Sequence, residues 1–213
     1  MKYYILNKYL AALSGLFLIL FLTGHLAGNL QLLIPESKGA QQQFNDYAAF
    51  MSTNPIVKIL SIITYIAITL HVVVTIALTL DAKRKRGVNY KSRQSPTNSV
   101  SAKYMGLLGT IILAFIIIHL SNFWYKAKFE GETDVYSLVI NKFQNIEHVI
   151  IYVVAMLAIF FHMLHGFSSS FQSLGLAGSK TRKYIKVFGI IYSLLIPILF
   201  AIIPIYVYLG FQQ

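Results

Sequence analysis

The stretch Glu147–Phe171 reads EHVIIYVVAMLAIFFHMLHGFSSSF, and after Glu147 it holds no acid, lysine or arginine. Crossing the hydrocarbon of a bilayer takes about 20 mostly apolar residues in a helix, and this run has them. Tyrosine aside, its ionisable exceptions are the histidines His148, His162 and His165. Backbone groups in lipid must bond to one another, so an apolar block of this size is read as a helix. Working outward, four further blocks qualify, at residues 8–33, 55–80, 103–125 and 184–209. Together with 147–171 they predict an all-α membrane protein, with five transmembrane helices bundled into one domain over residues 1–213.

Composition agrees with that class. The 213 residues are 56% hydrophobic and 12% charged, whereas soluble domains carry about a quarter of charged residues. The apolar residues come in long blocks, not in one-faced or alternating patterns. A net charge of +11 would suggest nucleic acid in a soluble protein. Here the positive charge sits in short connections between apolar blocks, which is the pattern of membrane orientation, so no nucleic-acid partner is expected. There is no cysteine; disulfides and protein-held iron–sulfur clusters are therefore excluded within this chain. The N-terminal run after Lys2 and Lys8 stays apolar through His25 and Leu26 to Ile34, too long for a signal-peptide core, and no clear small-residue cleavage site closes it. It is read as a retained first span.

The connections differ sharply in charge. Between Asp81 and Lys103 stand Lys83, Arg84, Lys85, Arg86, Lys91, Arg93 and Lys103, against one acid; 175–186 holds Lys180, Arg182, Lys183 and Lys186, against none. The connections 35–58 and 120–147 carry Lys38, Lys58, Lys126, Lys128 and Lys142 together with six acids. Basic connections stay cytoplasmic, so the N-terminus is expected inside and the C-terminus outside, with 13 of the 18 basic residues on the cytoplasmic side. Within the first outer connection, Phe44, Tyr47, Ala48 and Met51 recur at helical spacing and predict a short amphipathic surface helix between helices one and two. Pro197 and Pro204 predict a kinked fifth helix.

Ionisable groups inside a span are costly and mark function by default. Tyrosines aside, those found well inside the blocks are histidines: His25 in helix one, His71 in two, His119 in three, His162 and His165 in four. Depth pairs them. His25 lies about 12 Å inside the outer end of helix one, at a rise of about 1.5 Å per residue, and His119 is seven residues before Lys126. His71 is ten residues before Asp81, and His162 nine before Phe171, which puts both in the inner half. Two opposing neutral imidazoles make an axial ligand set for a low-spin haem suited to electron transfer. Gly24, Gly28 and Gly166 beside the ligands offer close approach for a helix or a flat macrocycle.

A lone membrane histidine commonly does no more than hydrogen-bond across a helix interface; four in matched pairs ask for more. Zinc wants ligands converging at one level, often with a carboxylate, and no carboxylate lies at this depth. His148, beside Glu147 at the mouth of helix four, reads as a wetted interface residue. His165 is three residues from His162 and is left for packing or a hydrogen bond.

The motifs Thr23-Gly24-His25-Leu26, His71 with the basic run Lys83–Arg86 after it, His119 near the end of helix three, and His162-Met-Leu-His165-Gly166 followed by Phe171-Gln-Ser-Leu-Gly175 resemble the cytochrome b membrane anchor of the succinate dehydrogenase and fumarate reductase family. The match is to the type with a single five-helix polypeptide and two haem b, and it runs from about Leu10 to Ile205. The resemblance implies that His71 and His162 hold the iron of a proximal haem and His25 and His119 that of a distal haem. The first histidine of the helix-four motif is the family's ligand, which favours His162 over His165. It further implies a flavoprotein subunit with FAD and an iron–sulfur subunit with its clusters on the cytoplasmic face. A quinone, menaquinone foremost, would be the redox partner in a bacterial inner (cytoplasmic) membrane. The chain would then be the membrane subunit of an enzyme complex, with no substrate dehydrogenase chemistry of its own. Some fumarate-reducing members carry acids where this chain has Phe160 and Met51, and that departure favours succinate oxidation.

Asn29, Gln31, Asn45 and Trp124 lie near the outer level and are candidates for quinone or propionate contact, or ordinary interface residues. The alternative partner is a formate dehydrogenase or hydrogenase with the same diheme anchor. A transporter would show repeated halves and discontinuous helices, and no matching half is found.

Overall fold

The computed structural model describes residues 2–85 and 100–211, and among these every regular element is helical. α1 covers Lys2–Asn29, α2 Ala40–Thr53 and α3 Pro55–Lys85. α4, Val100–His119, runs through a π-helical turn, Leu120–Trp124, into α5, Tyr125–Phe129. Then follow α6, Val135–Phe143, α7, Ile146–Ser173, and α8, Arg182–Tyr208. Among the described residues five helical segments are long and apolar enough to cross a membrane: Tyr3–Leu33, Pro55–Ala82, Tyr104–Phe129, Ile146–Ser173 and Arg182–Tyr208. Arg86, Lys91 and Arg93 of the most basic connection lie outside the described residues.

Local sequence explains where these helices begin and end. Asn54 Oδ1 accepts from the backbone N–H of Ile56 at 2.9 Å and Val57 at 3.3 Å, and Pro55 takes the first helical position, where its missing N–H costs nothing. Asn145 Oδ1 accepts from Glu147 N at 2.8 Å, so α7 starts with a side-chain cap and an acid in its first turn. Its other end closes where Gly175 takes φ +75° and Leu176 N donates to Phe171 O at 2.9 Å. That left-handed stop suits glycine. α8 passes through Pro197 and Pro204, both buried against the bundle.

α7 is the hub. It packs on α8, α4 and α1, and α1 packs in turn on α3. α3 meets α4 only sparsely among the described residues, so α3, α1, α7 and α4 stand at the corners of a square whose α3–α4 side is loosely packed. Among the described residues no comparable backbone packing crosses the diagonals α1/α4 and α3/α7. Tyr192 ties α8 to the square by donating its hydroxyl to Ile19 O at 2.7 Å.

One end of the square is capped. α2, which the periodicity anticipated as a short helix, buries Ala40 and Phe44. α6 was not anticipated; Tyr136, Val139 and Phe143 recur on its buried face. Asp134, the N-cap of α6, accepts from Gln41 Nε2 at 2.8 Å and Asn45 Nδ2 at 2.7 Å. Asn45 Oδ1 also accepts from Tyr136 N at 2.9 Å. These bonds place the α1–α3 and α5–α7 connections at the same end, so successive long helices run in opposite directions. The hydrophobic core gathers here too, from Leu26, Leu32, Phe44, Tyr136, Phe143 and Val207.

Candidate functional site

Five histidines lie well inside the spans, on four different helices, and four of their rings meet in two pairs. His25 of α1 faces His119 at the end of α4, with ring centroids 5.8 Å apart and planes at 89°. His71 of α3 faces His162 of α7, with centroids 6.3 Å apart and planes at 71°. Each pair therefore spans one diagonal of the square, where backbones leave a gap. All four rings are partly buried. His165 lies one turn beyond His162, also partly buried, but the ring opposite His71 is that of His162.

The two pairs occupy different levels. His71 Nδ1 lies 3.2 Å from Ala11 O and 3.2 Å from Ser14 Oγ on α1. His25 is eleven residues beyond Ser14 on that helix, a rise of about 16 Å. Similarly His119 Nδ1 lies 3.2 Å from the Tyr152 hydroxyl on α7, and His162 is ten residues further along, a rise of about 15 Å. The His25/His119 pair is the one nearer the α2–α6 cap, since α6 touches the π-helical turn that follows His119.

Hydrogen bonding at Nδ1 decides what Nε2 can do. With the Nδ1 proton of His71 donated to Ala11 O, Nε2 keeps its lone pair, and a backbone carbonyl is the usual outer partner of a metal-bound histidine. Ser14 Oγ donates to Leu10 O at 2.6 Å and so faces His71 with its oxygen lone pair. His119 Nδ1 has the Tyr152 hydroxyl at hydrogen-bond distance, and a hydroxyl can donate or accept there. His162 Nδ1 is buried with no hydrogen-bond partner. Asn29 Nδ2 spends its hydrogen bond on His25 O at 2.8 Å and stands only 3.5 Å from His25 Nδ1, too long for a strong bond.

Does this donor set fit a haem? Two imidazoles bound through Nε2 on opposite sides of one iron, each at about 2 Å, put their ring centroids about 6 Å apart. The observed 5.8 Å and 6.3 Å match that span. Among the described residues no three His, Asp or Glu side chains gather as a bare metal ion would need. Aromatic rings line the first pair: Phe21 stacks on His25 at 5.4 Å, Phe200 lies 5.7 Å from it, and Phe115 and Phe123 flank His119 at 5.7 and 5.5 Å. Two imidazoles on each of two levels are the donor set that would hold two haems.

The glycines divide by what surrounds them. A Cβ on Gly15 would sit 3.2 Å from His71 Cε1 and 3.6 Å from Ser170 Oγ, and one on Gly109 would sit 3.8 Å from His162 Cε1. Neither was singled out from the sequence. Gly24 and Gly166 face no protein atom within 4 Å. Gly28 gives its space to another helix instead: an added Cβ would overlap the Tyr47 ring of α2. Of the outer-level polar candidates, Asn45 belongs to the Asp134 clasp, Asn29 caps its own helix turn, and Trp124 packs edge-on to Tyr65 at 5.8 Å. Gln31 sits in a 3-10 turn, its carbonyl accepting from Ile34 N.

Asp134 carries the clear electrostatic signature outside the spans. Partial desolvation pushes its carboxyl up, but hydrogen bonds from Ser137, Asn45 and Gln41 outweigh that and bring it down from 3.8 to about 2.

Sequence reasoning had no sign of the π-helical turn directly after His119, nor of Tyr152 and Ser14 as imidazole partners. π-turns cluster at functional sites. Comparisons with protein families, with curated proteins and with solved structures find no match to this chain.

Proposed function

We propose that this chain is a diheme cytochrome b anchor, the membrane subunit of a succinate:quinone oxidoreductase. The observation that carries the reading is the geometry of the two imidazole pairs, at 5.8 Å and 6.3 Å, each across a diagonal of the bundle. A bound haem supplies reversible one-electron chemistry at its iron; the protein supplies placement and environment. His71 and His162 grip the group on one level, His25 and His119 that on the other. The α1 carbonyl of Ala11 and hydroxyl of Ser14 hold His71 in the tautomer that leaves Nε2 free. Packed aromatic rings about His25 and His119 keep water from that level.

In this reading the basic ends of the helices face the cytoplasm, putting the His71/His162 level nearer that side and the α2–α6 cap on the outer surface with α2 along the interface. Docking of a flavoprotein and an iron–sulfur subunit on the basic face, and quinone as the other redox partner in a bacterial inner membrane, rest on the sequence resemblance. The absence of acids at Phe160 and Met51 favours the direction of succinate oxidation.

The test is spectroscopic. Detergent-purified protein from a haem-sufficient host is expected to show a b-type reduced spectrum with two haems per chain. Single replacement of His25 or His119 removes one centre, and of His71 or His162 the other. Haem-free protein, or loss of a centre on replacing His165 but not His162, overturns the assignment. Co-purification of a molybdenum or nickel subunit in place of a flavoprotein would move the anchor to another dehydrogenase.

A further inference from the structure

The hydrogen bonding around the two pairs is unequal, and the inequality singles out one side chain. His71 donates toward two oxygens of α1, whereas His119 meets the hydroxyl of Tyr152 on α7 at 3.2 Å. Tyr152 is 7% exposed, and its ring is held edge-on by Phe115 at 4.9 Å and by Phe143 at 4.9 Å. Phe123 adds a third contact at 6.2 Å. A ring gripped on these sides has little freedom, so its hydroxyl has a fixed aim. The backbone cooperates: the π-helical turn Leu120–Trp124 begins at the residue after His119 and brings Asn122 beside the same hydroxyl.

We propose that Tyr152 is the positioning residue of the His25/His119 centre: its hydroxyl accepts the His119 Nδ1 proton and so presents Nε2 to the iron. The proposal rests on the diheme reading above. An imidazole that donates its second N–H is a more basic ligand and is held in one tautomer and one orientation. Greater ligand basicity favours the oxidised iron, so the tyrosine lowers the reduction potential of this centre. Because Tyr152 stands on the same helix as His162, α7 contributes to both centres, as a ligand to one and as an outer partner to the other.

Tyr152→Phe keeps the ring and its packing against Phe115 and Phe143 and removes only the acceptor. Redox titration and electron paramagnetic resonance of the purified protein read the result, each signal being assigned to its centre with the single-histidine variants. In Tyr152→Phe the potential of the His25/His119 centre is expected to move positive and its low-spin signal to shift, with the other centre unmoved. Haem is expected to be held there about 10–100-fold more weakly, the usual effect of losing such a partner. An unchanged potential and signal at that centre, or an equal shift at both, overturns the proposal. So does loss of both haems together, because the role is confined to one level. Wild-type protein without haem would instead sink the parent reading, which keeps the two failures apart.

Discussion

Gly15 shows how narrowly the His71 level is built. It lies on α1 between Ser14, which faces His71 Nδ1, and the contact with Ser170 of α7. A methyl group there meets His71 Cε1 at 3.2 Å, inside ordinary van der Waals contact, and overpacking of this kind costs about 1–3 kcal/mol when neighbours cannot move. Under the diheme proposal, Gly15→Ala is therefore expected to displace the imidazole and cut haem at the His71/His162 level well below one per chain, leaving the His25/His119 level filled. Gly178→Ala, in the connection before α8 and in ordinary contact with Thr181 Oγ1 at 3.7 Å, is expected to leave both. Haem stoichiometry of the two variants decides the matter, and equal haem content in both would remove Gly15 from the site. At this scale the sequence was informative where polarity is rare. Five histidines well inside apolar blocks stood out; depth sorted them into two levels, and the motif resemblance chose His162 over His165. Gly15, Ser14 and Tyr152 did not stand out, because a helix apolar on every side gives no periodic signal of which face meets which neighbour.

Among elements, the long spans were legible from hydropathy and the short ones only in part. α2 showed helical spacing of Phe44, Tyr47 and Met51. α6 was hidden in a charged connection, though an N-cap at Asp134 and the spacing of Tyr136, Val139 and Phe143 could have found it. The π-helical turn has no sequence signature at all. The α2–α6 clasp depends on one carboxylate, and its pH response follows from the direction of its shift. Asp134 titrates at about 2 in the folded protein against an ordinary 3.8. Its contribution is thus complete above about pH 4 and falls as pH drops toward 2, when the folded carboxylate takes up a proton. Protease accessibility of the α2 connection is expected to rise across that window while the helical content of the spans persists. Asp134→Ala should expose the connection at neutral pH, with a loss of about 1–2 kcal/mol for the N-cap and more for the bonds from Gln41 and Asn45. An Asp134→Ala protein whose connection stays protected and insensitive to acid would show that apolar burial of Phe44 and Tyr136 suffices by itself.

For the whole molecule, charge sorts the two ends of the bundle. By sequence, the connections 35–58 and 120–147 carry six of the seven acids and five basic residues, a net −1; the N-terminal segment and the connections 81–103 and 175–186 carry 13 basic residues and Asp81, a net +12, and the two sum to the formal +11. The clasp between Asp134 and Gln41 and Asn45 shows that both acid-rich connections belong to one end. Basic connections resist translocation whereas acids contribute little, and a bundle this polarised should insert in one direction, with the α2–α6 end outside. The chain lends itself to a direct test because it has no cysteine. Gln43→Cys on α2 and Ser179→Cys before α8 each place a single thiol at an exposed position on opposite ends. A membrane-impermeant maleimide applied to intact spheroplasts is expected to label Gln43→Cys and spare Ser179→Cys, and inverted vesicles should give the reverse. The opposite pattern would put the His25/His119 level on the cytoplasmic side. Electrons arriving from a cytoplasmic partner would then reach that centre first, and the proposed order of the two centres would have to be exchanged.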